Sequence, residues 1–555
     1  MDKDISDEFI IKTEETEYEP NEKGLGHELF HCMVKNGRKI AQYIEETEEI
    51  DFYDSLLQRC IRTAITLLTK GVTQDDIITI CSENHVNTCV PFIATQFIGA
   101  KVASLDVSLS STEIAHLLKQ VNPKIIFVSE KSINLIEKAL YETKINTELV
   151  VFGVSNKYCQ FTEYLKKQKN ESYFKPSPIK NNKQTAIIFF SSGTTGLPKG
   201  ICISHYSRMK QVVNQIKLWN YGDTCNLSNY YFKPQVVSDG CLLNYAGLYW
   251  ISSVGVLIRA VFTGQARMVC ENFDENKFWH TLEKYKISSL FITPVDFNKL
   301  RMIKKPIVDL SNLKVVLTGS CPISETMMIT LKDYFPNTVI IHAYGQTECG
   351  GLLSSFDVNN KLDLLGQLKH PLSCGKPVPG IWYKVVDLDT EETLGPNQKG
   401  ELRYKTKYAM NGYYNLDSSS AYDNNGWLKS GDIVIYDENQ YFYVVDRVKE
   451  MLKYQGWHVA PAYLEGILES HQLIREAAVI GLPHEHDGDH PMALIVLKNK
   501  DSLLSERDVE TFLEGKISDK QKLRGGIKFI NDIPRTSVGK IRRLHLKQMV
   551  LNNEI

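Results

Sequence analysis

Apolar positions along the chain recur with two different periods. Leu56, Leu57, Cys60, Ile61, Ala64, Leu67 and Leu68 fall three or four residues apart, which predicts an amphipathic helix. Short apolar runs follow at Ile77–Cys81, Lys101–Leu105, Lys124–Val128 and Leu149–Phe152, and each predicts a buried strand. Between them Asn84–Phe97, Thr112–Val121 and Ser132–Tyr141 carry helical spacing. Strand and helix alternating over short connections predict an α/β fold with largely parallel, doubly wound sheet. After Gly375 the pattern becomes β-rich, with Trp382–Val386, Gly400–Tyr404 and Tyr441–Val445 set between glycine and asparagine turns. Beyond Asp446-Arg447 Lys and Glu become dense and cysteine disappears, which predicts a short α+β unit and a boundary near 446–450. The chain thus divides into residues 1–25, a large N-terminal domain over 26–446 with its β-rich subdomain, and a small C-terminal domain over 447–555. Eight acidic residues between Asp2 and Glu19 predict a mobile acidic tail at the start.

Composition narrows the classes. The 64 basic side chains against 66 acidic ones leave a net charge of −2, which argues against nucleic acid or an anionic membrane as the main partner. Twelve cysteines without a Cys-x-x-Cys pair suit reduced thiols better than a disulfide frame. The longest apolar stretch, around Val254–Phe262, is interrupted by Arg259 and is too short to span a bilayer. No secretory signal is visible, and the terminal Asn552-Asn553-Glu554-Ile555 is not the Ser-Lys-Leu peroxisomal address.

Candidate chemistry sits where apolar runs end. Ala186–Phe190 feeds into Ser191-Ser192-Gly193-Thr194-Thr195-Gly196-Leu197-Pro198-Lys199-Gly200. Its glycines let backbone N–H groups close on an anion, and its hydroxyls and Lys199 add donors and charge, so the stretch predicts a phosphate-gripping loop. It is not a Walker A, because Gly193 and Gly196 are too close and Gly200 follows Lys199. Thr318-Gly319-Ser320-Cys321-Pro322 and Tyr344-Gly345-Gln346-Thr347-Glu348 each pair a glycine turn with side chains able to face a ligand. Tyr344 offers a flat ring to a purine, Thr347 a hydroxyl, and Glu348 a hard oxygen for Mg²⁺. In Ser430-Gly431-Asp432 the acid follows a tight turn and is able to accept from ribose hydroxyls.

These segments, with Asp446-Arg447 and Pro534-Arg535-Thr536-Ser537-Val538-Gly539-Lys540-Ile541, stand in the order typical of adenylate-forming enzymes. From residue 26 on, the chain resembles the branch holding acyl-CoA synthetases, 4-coumarate–CoA ligases and beetle luciferases. Cys81-Ser82-Glu83-Asn84 and Lys449–Pro461 resemble the ligases and luciferases in particular. The resemblance implies ATP, Mg²⁺ and coenzyme A as cofactors and a small carboxylic acid, fatty or aryl, as substrate. It implies that the C-terminal domain is a mobile lid on a hinge at Lys449. Ser191–Gly200 would wrap the β- and γ-phosphates, Gly319-Ser320 and Tyr344-Gly345 the adenine, and Thr347 the α-phosphate. Glu348 would help hold Mg²⁺, Asp432 with Arg447 beside it the ribose, and Lys540 the adenylation transition state. After the lid turns, Lys453-Tyr454-Gln455-Gly456 would reach the site, with Gly456 along the thiol path. The family tendency is a cytoplasmic or peroxisomal location. The alternatives are a luciferase-like monooxygenase on the same adenylation site and a non-catalytic nucleotide- or acyl-binding relative.

The acid pocket departs from the family pattern. Its usual histidine position falls at Leu243 in Leu242–Leu248, and Tyr245, Gly319 and Gly351 are the residues expected to line it. Cys349-Gly350-Gly351 stands where luciferases tend to carry small hydroxyl residues. Finally, His484-Glu485-His486-Asp487-Gly488-Asp489-His490 has histidines at i, i+2 and i+6, which matches no standard zinc spacing and reads as a polar turn.

Overall fold

The structure is a computed structural model. It describes residues 8–190, 198–219, 225–226, 231–232, 240–321, 323–455, 457–499, 502–536 and 539–555, the side chains of 225, 226, 231 and 232 excepted. Two seven-stranded sheets carry the N-terminal domain. In the first, Ile77–Cys81 lies between Lys101–Ser104 and Ile125–Ser129 in parallel. Glu148–Phe152 and Cys159–Gln160 extend one edge and Thr185–Phe190 the other. Gly200–Ser204 then returns antiparallel on Thr185–Phe190. In the second sheet the order is 339–342, 315–318, 287–291, 241–244, 266–269, 40–44 and 50–52, parallel except for the last pair. Continuous apolar runs are what a strand needs when both of its faces are covered.

Alternate residues of these strands enter different cores. Ile78, Ile80 and Val102 of the first sheet join Val315, Leu317 and Ile341 of the second in the largest core. The helices Leu25–Asn36, Tyr53–Thr69, Cys89–Phe97 and Ile251–Thr263 pack together within it. Cys81, Ile126 and Val128 face the other way, onto Ser111–Val121 and Ile133–Thr143. The helix expected from Asn84 begins only at Cys89. The Thr88 hydroxyl donates to the Glu83 carbonyl and receives the His85 N–H, which holds these residues in a turn. Pro91 then sits in the first helical turn, where its missing N–H costs nothing.

A six-stranded sheet holds Ile381–Val386, Gly400–Thr406, Leu428–Tyr436 and Phe442–Arg447 in antiparallel order. The described part of the acidic tail corrects the sequence-based expectation. Ile11–Lys12 adds a strand to this sheet, and Tyr18 is fully buried. The acids are tied down because a buried cation needs them. Lys210, with no exposed side-chain surface, faces Glu19 at 3.4 Å and Glu15 at 3.8 Å, and Lys407 pairs with Glu15.

The C-terminal domain is built on the hairpin of Ile474–His484 and Gly488–Leu497. Leu452–Tyr454 and Trp457–Val459 lie on one side and Gly526–Phe529 on another. Helices Pro461–Glu469 and Arg543–Leu551 cover the Ile474–His484 strand. Among the described residues no helix is long and apolar enough to cross a membrane, and every described cysteine is a free thiol.

Candidate active site

Three polar segments emerge from strand ends of the N-terminal domain and meet. Tyr344–Gln346 forms a strand that pairs antiparallel with Gly351–Ser355. Thr347–Cys349 is the single tight turn between them. Gly345 is required by close approach, since a β-carbon there would collide with the Gly351 carbonyl. Thr347 and Glu348 are therefore presented from a short, braced connection.

Asp432 lies in the strand Leu428–Tyr436, directly across the ladder from Arg447. Its Oδ1 faces Arg447 Nε at 3.6 Å. Its Oδ2 accepts from the Tyr344 hydroxyl at 2.6 Å and from Gln346 Nε2. Gln346 also donates to the Ser430 carbonyl at 2.8 Å. Only 6% of Asp432 is exposed. Burial pushes its carboxyl up, while Arg447 and the two donors hold it down. Burial likewise raises Glu348, against the pull of Lys540.

Lys540 comes from the other domain. The turn that carries it is closed by Thr536, whose N–H donates to the Lys540 carbonyl at 2.8 Å. The Lys540 N–H in turn donates to Thr536 Oγ1 at 3.1 Å. Arg535 steadies the turn by donating to the Gly539 carbonyl and pairing with Glu476 at 2.9 Å. Gly539, at φ 80°, lies against Val295 so tightly that a β-carbon would clash, and this contact seats the turn on the N-terminal domain. There the half-buried Lys540 is close enough to Asp432, Glu348 and Arg447 to feel all three charges. Burial, with Arg447, pushes its ammonium down to about 8, opposed by the two carboxylates.

The domains are clasped at their junction. Asp446 Oδ2 accepts the N–H of Ala462 at 3.0 Å, at the start of the helix Pro461–Glu469. Within the C-terminal domain Arg543 bridges Glu450 at 3.2 Å and Glu465 at 2.8 Å. Lys449 is exposed in the turn between Phe442–Arg447 and Leu452–Tyr454.

Tyr344, Gln346, Glu348, Asp432, Arg447 and Lys540 thus come together, with Thr347 in the same turn as Glu348. Gly319 and Ser320 lie at the end of the neighbouring strand, where a β-carbon on Gly319 would sit 2.7 Å from the Ala343 carbonyl. Lys453 and Gln455 are exposed on the C-terminal sheet and are not among this group. Ser191–Gly196 and Gly456 lie outside the described residues. Lys199, in the described end of the loop, is exposed and stands 5.0 Å over the Tyr413 ring. Tyr245 departs from its expected place. Its ring packs edge-on against Phe273 at 5.0 Å in a core on the far face of the second sheet. Apolar burial claims the aromatic ring there, although its hydroxyl finds no partner among the described residues.

Gln346, Gln211 and Arg208 have no role in the sequence analysis. Gln346 lies inside the Tyr344–Glu348 motif, and its amide was the available signal. Gln211 donates to the Cys349 and Leu352 carbonyls and accepts from the Leu352 N–H. Arg208, fully buried, donates to the Gly350 carbonyl at 2.8 Å. Both lie on the helix His205–Trp219 and hold the backbone around Gly351. No motif marks them, because their partners are main-chain atoms distant in sequence.

The family model described as AMP-binding enzyme matches residues 34–414, and the AMP-binding enzyme C-terminal domain matches 463–540. Luciferin 4-monooxygenase of Photuris pensylvanica is 33% identical over 94% of this chain and 95% of its own. 4-Coumarate–CoA ligase 1 of Arabidopsis thaliana is 28% identical over 96% of this chain and 94% of its own. Among solved structures, the luciferase-like enzyme of the nonluminescent Zophobas morio mealworm superposes with a TM-score of 0.72 at 37% identity. That match covers 80% of this chain and 99% of the other.

Proposed function

The chain belongs to the AMP-binding, adenylate-forming enzymes, and on that premise we propose that it is an acid–thiol ligase that makes an acyl-CoA through an acyl-AMP. What carries the reading is the meeting of Lys540 from one domain with Asp432, Glu348 and Arg447 from the other. In the first half-reaction an oxygen of the acid bonds to the α-phosphorus of ATP, and the bond to pyrophosphate breaks. The charge that builds on the α-phosphoryl oxygens calls for a cation already in place, and the Lys540 ammonium serves as that group. Asp432 Oδ1, the oxygen not taken by Tyr344 and Gln346, is the acceptor for a ribose hydroxyl. Thr347 faces the α-phosphate and Gly319-Ser320 the adenine, with the Ser191–Gly200 loop on the outer phosphates.

Glu348 suits Mg²⁺, which takes one or two carboxylates and draws its other oxygens from phosphate and water. Bound there, the ion would neutralise phosphate charge. In the second half-reaction the CoA sulfur bonds to the acyl carbon and AMP leaves, with Lys453–Gly456 turned toward the site by the lid. Gly351 and the backbone braced by Gln211 and Arg208 are the described candidates for the acid pocket, in place of Tyr245.

Acid-dependent exchange of labelled pyrophosphate into ATP tests the first step, and mass detection of acyl-CoA across fatty and aryl acids tests the second. No exchange with any acid would sink the reading. The luciferase relatives favour a second reading, oxidation of an adenylated luciferin. Light emission with luciferin, ATP and oxygen would select it.

A further inference from the structure

The histidine-rich turn of the C-terminal domain does what its spacing in sequence does not suggest. Three residues of the turn and its flanking strands converge. His484 closes the strand Ile474–His484, His490 lies early in Gly488–Leu497, and Asp487 sits between them. His490 Nε2 lies 2.8 Å from Asp487 Oδ2, and His484 Nδ1 lies 3.3 Å from the same oxygen. One ligand atom from each of the three lies within 4.8 Å of the other two. The two imidazoles are stacked, with centroids 4.0 Å apart and planes at 11°.

The distances suit a hydrogen-bonded turn and a ligand set alike. Zinc bonds to nitrogen and oxygen at about 2.0–2.2 Å, so the edges of its tetrahedron are roughly 3.3–3.5 Å long. The 3.3 Å separation matches such an edge, and the 2.8 Å one needs only a small opening. The Asp487 N–H donates to His484 Nδ1 at 3.2 Å, so that nitrogen is unprotonated, and an ion would take its lone pair in exchange for this hydrogen bond. Side-chain exposures of 41%, 23% and 19% for His484, Asp487 and His490 give an ion a path from solvent. Antiparallel pairing fixes the histidines, so little ordering remains to be done on binding.

Asp487 also reaches across to the next strand. Its carbonyl accepts the Gln455 N–H at 2.7 Å, and its Oδ1 accepts from Gln455 Nε2 at 2.8 Å. Tyr454 pairs with Gly488 beside it. The carboxylate therefore offers one oxygen to the histidine pair and the other to the segment Lys453–Gln455.

We propose that His484, Asp487 and His490 form a binding site for one divalent ion of the zinc class, with an open position for water, and that the bound ion braces Lys453–Gln455 through Asp487. Two imidazoles and one carboxylate are a donor set suited to Zn²⁺. The site is separate from the cleft of Lys540 and Asp432, and binding is read without substrate, so it stands or falls independently of the ligase reading.

The test is equilibrium dialysis of the full chain against Zn²⁺, alongside a His484→Ala/His490→Ala variant and a single His490→Gln. We expect one more ion bound per chain in the wild type than in the double variant, and at least tenfold weaker binding in His490→Gln. Co²⁺ in place of Zn²⁺ is expected to give a tetrahedral visible spectrum without thiolate charge-transfer bands, which separates this site from the cysteines. Amide exchange at Gln455 is expected to slow on adding Zn²⁺ to the wild type alone. Equal binding by wild type and double variant, or a thiolate signature on the ion lost in the variant, overturns the site. Unchanged exchange at Gln455 overturns the brace.

Discussion

The two walls of the cleft are built in different ways. On the N-terminal side the buried Asp432 is held by a cross-strand partner, a phenol and an amide, each half-buried. On the C-terminal side Lys540 is carried by a short turn that rests on Val295 through one glycine and is steadied by Arg535. The first wall is tied to its own sheet by these contacts. The second depends on how the C-terminal domain sits, through contacts such as Asp446 with Ala462, Ile433 with Met451 and Ala460, and Gly539 on Val295. On the proposed reaction this division is useful. A preorganised nucleotide wall serves both half-reactions, whereas a cation on a lightly held turn can be withdrawn after the first.

Lys540→Ala is the strongest way to break the comparison. Acyl-AMP formation should fall about 10²–10³-fold, followed by pyrophosphate exchange, while thermal stability stays near wild type. A loss of only a few-fold would show that the wall of Asp432 works without the lid. Asp432→Ala should act the other way, on the fold as well as the reaction. It strands the Tyr344 hydroxyl and the Gln346 amide, and denaturant titration should show a loss of about 1–3 kcal/mol. If stability were untouched, the first wall would not be preorganised.

The pH profile sharpens the contrast. Lys540 is protonated below about 8 and neutral above it. Adenylation with free enzyme should therefore hold at neutral pH and fall as pH rises through about 8, by roughly tenfold per unit beyond it. Lys540→Arg, always charged, should lose this alkaline limb at a lower overall rate. The smallest effect is expected from Arg535→Ala, which loosens the turn without removing the cation. About tenfold or less off the adenylation rate, with the KM for ATP unchanged, would fit a positioning role. A raised KM would place Arg535 among the nucleotide contacts instead.

Legibility followed the range of the interactions. The runs Ile77–Cys81 and Thr185–Phe190 were readable because continuous apolar strands announce a sheet covered on both faces. Tyr344, Glu348, Asp432 and Lys540 were readable because each sits in a short motif whose order along the chain is itself informative. Tyr245 was expected to line the acid pocket and its ring packs in an apolar core, because the same ring suits a pocket and a core equally well. The start of the chain was misread for a related reason. Glu15 and Glu19 look like solvated charge until Lys210, nearly two hundred residues on, is seen buried beside them.

Sequence alone therefore determined the α/β class, the two-domain division and the residue types that the cleft would contain, because period, turn chemistry and motif order are local properties. The tertiary structure decided which oxygen of Asp432 accepts from Tyr344 and Gln346, how Lys540 comes near two carboxylates in another domain, and that Arg208 and Gln211 brace the backbone around Gly351. It also brought one candidate ligand atom each of His484, Asp487 and His490, whose spacing fits no zinc pattern, within 4.8 Å of one another. A hairpin folds residues i and i+6 back together, and a spacing read along an extended chain does not show that return.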